Sequence, residues 1–189
     1  MSYTPIQGVR WTTADIELLP ENEGTRYEVV DGELFISKAF DWYHQRTCSK
    51  ICLELEDWSR FSNLGQAVIS PGVLFSESDD VIPDVVWASH ERLELLLDEA
   101  GHLTGAPELV IEVLSAGNEN VRRDKEAKLK LYSSRGVEEY WIADWRLKKV
   151  EVYRRENARL VLVATLINDD EIISPLLPGF SCVVSKFFL

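Results

Sequence analysis

Apolar positions along this chain recur with two periods, and the switches between them predict its elements. "TTADIELLP" reads as a short helix, with Thr12 or Thr13 as its cap and Pro20 beyond its end. "RYEVVDGELFIS" alternates as two strands joined by Asp31-Gly32, a dipeptide suited to a tight type I′ turn, so an N-terminal β-hairpin is predicted. From Trp42 to about Phe61, His44, Cys48, Ile51, Cys52, Leu55 and Trp58 share one helical face. "QAVISPGVLFS" and "VIPDVVWAS" read as two strands, the first interrupted by Pro71-Gly72, and "HERLELLLDEAG" as a helix closed by Gly101. A strand over 108–114 follows, then a loop, "SAGNEN", and a helix over 121–135 ended by Gly136. "VEEYWIAD", "KKVEVYRRE" and "ARLVLVATL" are strands, the last two a hairpin; the tail is irregular, with a short final strand. Strands 108–114 and 138–144, joined by a helix, form a βαβ crossover and are expected to be parallel and right-handed. Residues 1–189 read as one α/β domain without repeats, low-complexity tracts or linkers.

Two positions break the apolar pattern. Asp84 follows a proline in "VIPDVVW", and Glu112 interrupts "LVIEVLS". A bare buried charge is very costly, so a carboxylate here is paired with a cation of the protein, protonated, or bound to a divalent metal that the two acids share. Mg²⁺ suits the second arrangement because it takes few protein carboxylates and prefers oxygen ligands. On the helix that follows, Lys128 falls at the middle of a stripe formed by Val121, Leu131 and Tyr132, flanked by Asp124 and Arg135. An isolated lysine there would bury its stem and keep its ammonium wet. One loop after a buried acid, on a helix packed against that acid's own sheet, Lys128 is expected near Glu112.

Charge complicates the choice of partner. The net charge is −12, which argues against nucleic acid because phosphate binding rewards basic surfaces. Yet Arg122, Arg123, Lys125, Lys128, Lys130 and Arg135 are opposed only by Asp124 and Glu126, a net +4 on one helix. Cys48, Cys52 and Cys182 fit no disulfide framework, which points to a reducing cytoplasm. "MSYTPIQGVRWTTAD" has no apolar core of a signal peptide, and no stretch is apolar enough to span a membrane.

The ordered blocks "RYEVVDGEL", "DWYHQR", "PDVVW", "GAPELVIEVLS", "DKEAKLKLY" and "GVEEYWIAD" resemble the putative restriction endonuclease family of small bacterial proteins, within the PD-(D/E)XK nuclease superfamily. The resemblance covers roughly residues 12 to 185. It implies a restriction endonuclease-like core, a mixed central sheet flanked by helices, and an endonuclease hydrolysing nucleic acid, DNA in particular. It also implies Mg²⁺, with Mn²⁺ substituting, held by Asp84, Glu112 and the backbone carbonyl of Val113. The superfamily pattern places a lysine two residues after the acid, where this chain has Leu114. In the resembling family the lysine comes from the following helix, and the matching residue is Lys128, with Lys125, about 60° round the helix, as its rival and Lys130 facing away. The family also carries an acid at the block holding Glu28, a further ligand or else a rim residue, and a histidine at His44. Small nucleases of this fold meet both strands with a second subunit, so a homodimer is expected.

Other polar clusters read as structural. His44 and Cys52 lie about 12 Å apart along a helix axis, too far to converge on one zinc ion, so the cysteines are read as core. "ESDD" (77–80) and "NDDE" (168–171) lack calcium-loop spacing and read as solvated loops, Trp141 as core, and Asp144 as turn chemistry. Two alternatives to the nuclease stand. One is a catalytically inactive domain of the same fold, a binding or assembly module, favoured by the −12 charge and the displaced lysine. The other is a metal-dependent phosphoesterase acting on small nucleotides.

Overall fold

Two sheets and their helices build the site region in the computed structural model, which describes residues 8–20, 24–38, 41–115 and 123–188. The "SAGNEN" residues 116–120, together with Val121 and Arg122, lie outside the described residues. The strands are β1 (Thr25–Val30), β2 (Glu33–Lys38), β3 (Gly65–Ile69), β4 (Val73–Ser76), β5 (Asp79–Val81), β6 (Val85–Ser89), β7 (Leu109–Val113), β8 (Glu139–Asp144), β9 (Lys149–Glu156), β10 (Arg159–Ile167), β11 (Glu171–Ile173) and β12 (Ser181–Val183). The helices are α1 (Thr13–Glu17), α2 (Trp42–Ser62), α3 (His90–Leu96) and α4 (Leu129–Arg135), with a π turn over Arg123–Lys128 and a 3₁₀ turn over Val184–Phe188.

A six-stranded mixed sheet runs in the order β10-β9-β8-β7-β6-β3, and a four-stranded sheet in the order β2-β1-β5-β4. The expected parallel pairing of β7 and β8 is present, Leu109 opposite Glu139, and every other pair in the large sheet is antiparallel. The β1–β2 hairpin turns through Asp31 and Gly32, both at positive φ as a type I′ turn requires. Alternation along β7 divides the interior. Leu109, Ile111 and Val113 join Cys48, Ile51 and Leu55 of α2 on one face. Val110 and Leu114 join Leu131 and Tyr132 of α4, with Val30, Val73 and Val81 of the small sheet, on the other. Glu112 has the parity of this second face. Trp141 is core, and Asp144 accepts from the backbone N–H of Arg146 (3.0 Å) and Leu147 (3.3 Å) as a turn residue. Thr12 caps α1 in a capping box. Among the described residues no helix is long and apolar enough to cross a membrane.

Four expectations are corrected. "QAVISPGVLFS" is not one interrupted strand but β3 and β4, which belong to different sheets. The change occurs at Ser70, held at positive φ by its N–H bond to the Asp84 carbonyl, 3.1 Å. α3 ends at Leu96 rather than Gly101, because Leu97 turns extended and bridges to Leu103. The helix read over 121–135 begins, where described, as a π turn, which closes i→i+5 bonds and takes more residues per turn than an α-helix. Residues four apart thereby line up, and Asp124, Lys128 and Tyr132 all turn inward.

The fourth correction concerns "ESDD", read as a solvated loop. Asp79 is buried in β5, pairs with Arg135, and accepts from the Asp31 N–H (2.8 Å) and the Ser76 hydroxyl (2.9 Å). Burial alone would raise its carboxyl, but the Asp31 N–H, Arg135 and Ser76 outweigh it and hold the group below the usual range. Its stabilisation is therefore present at neutral pH and is lost as pH falls through that depressed value. Asp79→Ala strands an inward N–H and a cation, and is expected to cost roughly 1–3 kcal/mol in urea denaturation. "NDDE" is an exposed turn leading into β11, as expected.

Candidate active site

β6 and β7 run antiparallel with Val85 opposite Ile111. "VIPDVVWAS" is not one strand: Val81 ends β5 and β6 begins at Val85, so Asp84 stands in the bend just before β6, where its Oδ2 meets the Val113 N–H beside Glu112. Around them the fold gathers side chains from five further places. β1 supplies Glu28 and Arg26, which are two residues apart and so share a face. α2 supplies His44 near its start, the π turn Arg123, Asp124 and Lys128, α4 Tyr132, and β8 Tyr140. Glu28, His44, Asp84, Glu112, Arg123, Asp124 and Lys128 are all buried.

Lys128 is central. Its ammonium lies 2.8 Å from Glu112 Oε1 and 2.8 Å from Glu28 Oε1. The Tyr132 hydroxyl donates to the same Glu112 oxygen, 2.8 Å, and the Ile82 N–H to Glu28 Oε1, 2.8 Å. Glu28 is thus inside the cluster, not on the hairpin rim. Asp84 Oδ2 accepts from the Val113 N–H, 2.8 Å, and lies 3.2 Å from His44 Nε2, while Oδ1 faces Arg26 at 3.7 Å. Arg123 donates to Asp124 Oδ1, 2.9 Å, and lies 3.8 Å from Glu28. Asp124 Oδ2 is buried without a hydrogen-bond partner.

Among the described residues the charges do not balance. Four buried carboxylates, Glu28, Asp84, Glu112 and Asp124, face two buried cations, Lys128 and Arg123, with the partly exposed Arg26 beside them. Burial pushes Glu112 up to about 8, and Asp84, Asp124 and Glu28 add to the rise against the pull of Lys128. Asp124 is raised by burial despite Lys128 and Arg123. Asp84 goes the other way: burial opposes it, but His44, the Val113 N–H and Lys128 keep it ionised. Burial alone would lower Lys128, yet Glu112 and Glu28 hold it above its ordinary value. Such a cluster takes up either a proton, at Glu112, or a cation. The excess carboxylate and the unpartnered Asp124 oxygen both fit a hard divalent ion.

A second donor set was not read from the sequence. His44, Cys48 and Asp84 bring ligand atoms within 4.8 Å of one another. Burial and the charges of Asp84 and Glu112 push the Cys48 thiol well up, so it stays a protonated core group, a poor match for a hard ion. His44 therefore serves Asp84. Lys125 is not in the cluster, because its ammonium sits on Glu151 at 2.6 Å. Lys130 points outward, 3.8 Å from Asp31.

Among the described residues of the basic helix, most cations are turned inward or paired. Arg123 and Lys128 are internal, and Lys125 and Arg135 pair with Glu151 and Asp79. Sequence reasoning also missed Arg26, Arg123 and Tyr132 as members of the site. Asp124 had a signal, its flanking place on the Lys128 stripe, whereas Arg26 had only its position two residues from Glu28.

The sequence matches the model of the family Uma2, putative restriction endonuclease, over residues 13–185. No curated protein matches it. Among solved structures the chain is similar to a putative nuclease belonging to DUF820 from Anabaena variabilis, with a TM-score of 0.74 and 18% identity over 94% of this chain and 97% of that one. It also aligns with the type IIG restriction endonuclease BpuSI, at a TM-score of 0.42 and 15% identity over 77% of this chain and 15% of that one. The first likeness shows the shared fold, and the mixed sheet flanked by helices is the restriction endonuclease-like core that the motif blocks imply. With a match spanning nearly its whole length, this chain belongs to the Uma2 family of putative restriction endonucleases.

Proposed function

We propose that this chain is a metal-dependent nuclease hydrolysing phosphodiester bonds in DNA, with Mg²⁺, replaceable by Mn²⁺, held by Asp84 and Glu112. One observation carries the reading: among the described residues four carboxylates are buried together with too few cations, with Asp84 bonded to the Val113 N–H next to Glu112. When bound, the ion supplies Lewis-acid neutralisation of a phosphate and acidifies water. The chain's residues do the rest. His44 and the Val113 N–H converge on Asp84 Oδ2 and hold that carboxylate ionised and oriented. Lys128 and Tyr132 both bond Glu112 Oε1, leaving Oε2 for the cation. Lys128 places a positive charge where the phosphate would gain negative charge, and Glu28 fixes that ammonium from its other side. An inactive module of the same fold would also close a Lys128–Glu112 pair, but it would have no need to bury Asp84 in the same cluster.

The test is cleavage of labelled DNA in Mg²⁺ and in Mn²⁺. Wild type is expected to cut, and Asp84→Asn to lose at least about 100-fold, on the scale of removing a group that stabilises the transition state. Lys125→Ala is expected to stay within about two-fold, since its partner is Glu151, a surface-type pair of small energetic weight. Cleavage by Asp84→Asn at the wild-type rate would overturn the proposal.

A further inference from the structure

Next to the site, the start of α2 carries two aromatic side chains facing water. Trp42 is 74% exposed and Tyr43 60% exposed, although each is large enough to prefer burial. Tyr43 is stacked on Trp145, with ring centroids 5.1 Å apart and planes 16° apart, so its ring is held in place. Tyr43 precedes His44, which touches Asp84, and Trp145 follows directly on β8. The same edge holds two polar groups without partners. The Trp145 indole N–H and the Ser115 hydroxyl are buried and make no hydrogen bond. Their positions are matched: β7 pairs with β8 as Val113 with Ala143, and the Leu114 N–H bonds the Ala143 carbonyl, so Ser115 and Trp145 fall side by side just past the strand ends. The helix N-terminus itself is already occupied, because Asp41 accepts from the Tyr43 and His44 N–H groups.

Resting on the nuclease reading, we infer that Trp42, Tyr43 and Trp145 form a stacking ledge for unpaired bases, so that the substrate enters as a single strand. Tyr43, backed by Trp145, offers one ring face and Trp42 a second. Charge selects single strand over duplex. Duplex binding rests on neutralising many phosphates, and this chain has a net charge of −12 and a basic helix whose cations are mostly buried or paired with acids. Stacking adds a contribution that does not depend on charge, since every base has a π-face, and a ring already held costs little to order.

Fluorescence anisotropy of a labelled 12-nucleotide DNA, single-stranded and as its duplex, tests this with Ca²⁺ replacing Mg²⁺ so that the strand stays intact. The single strand is expected to bind at least ten-fold tighter than the duplex. Trp42→Ala and Tyr43→Ala should each weaken single-strand binding about ten-fold; Trp42→Ala should melt as wild type, and Tyr43→Ala, which also gives up its stack on Trp145, is assayed well below its own melting temperature. A duplex bound as tightly as the strand, variants within two-fold of wild type, or no binding of either form would overturn the ledge. The cleavage assay with Asp84→Asn reports on the nuclease reading separately, so loss of the ledge leaves that result intact.

Discussion

Lys128→Met is expected to be the most damaging single change in this protein, in stability and activity together. The ammonium is 1% exposed and is the partner, at 2.8 Å, of both Glu28 and Glu112. Methionine fills much of the volume but strips Glu28 of its cation and Glu112 of its donor, with Asp84 and Asp124 nearby. Breaking a buried ion pair from one side costs roughly 3–5 kcal/mol. Urea denaturation should show a loss of that size, and DNA cleavage, assayed well below the melting temperature, should drop about 100- to 1000-fold. Lys125→Met, three residues earlier, is the comparison: its pair with Glu151 is partly exposed, Lys149 also holds that acid, and the expected cost is about 1 kcal/mol or less. Equal stability losses for the two variants would contradict the assignment of Lys128 to the cluster.

The second large effect is a pH dependence of the metal-free protein. Glu112 is pushed up to about 8 by burial and by its acidic neighbours, whereas in the unfolded chain it ionises near 4.5. Between these values the folded state keeps a proton that the unfolded state has lost, so stability falls as pH rises, by up to about 1.4 kcal/mol per pH unit, and levels off above about 8. Glu112→Gln cannot ionise, so this decline should vanish from its profile and the variant should overtake wild type at alkaline pH. Saturating Mn²⁺ should likewise flatten the wild-type profile, because a cation replaces the proton. Urea midpoints from pH 5 to pH 9 measure all three. Parallel profiles for wild type and Glu112→Gln would show that Glu112 is ionised throughout.

Much of this is legible in the sequence. The Asp31-Gly32 hairpin, the long α2 and the β7–β8 parallel pair follow from local pattern, because period and turn chemistry are properties of neighbouring residues. The inward turn of Lys128 followed from its stripe, and Glu112 from the cost of a charge in an apolar strand. What stayed hidden depended on distant partners. "ESDD" looks solvated until Arg135, 56 residues on, is known to cover Asp79. The net +4 of the helix gives no hint that Glu151 and Asp79 lie against its cations or that Lys128 lies inside. Pairing between elements leaves no local period, so Arg26 and Arg123 could not be assigned to the site. The π turn was missed for a related reason: the stripe was drawn at 3.6 residues per turn, and π winding widens that step just where Asp124 and Lys128 must share a face.

The central claim is that Asp84 and Glu112 form one cation site, and calorimetric titration of Mn²⁺ into wild type, Asp84→Asn and Glu112→Gln tests it most directly. Both substitutions keep side-chain shape, so the fold is expected to survive them. The account predicts one Mn²⁺ bound by wild type and binding lost in both variants. Undiminished binding in the two variants, or none by wild type at millimolar Mn²⁺, would contradict it and leave Glu112 as half of a salt bridge.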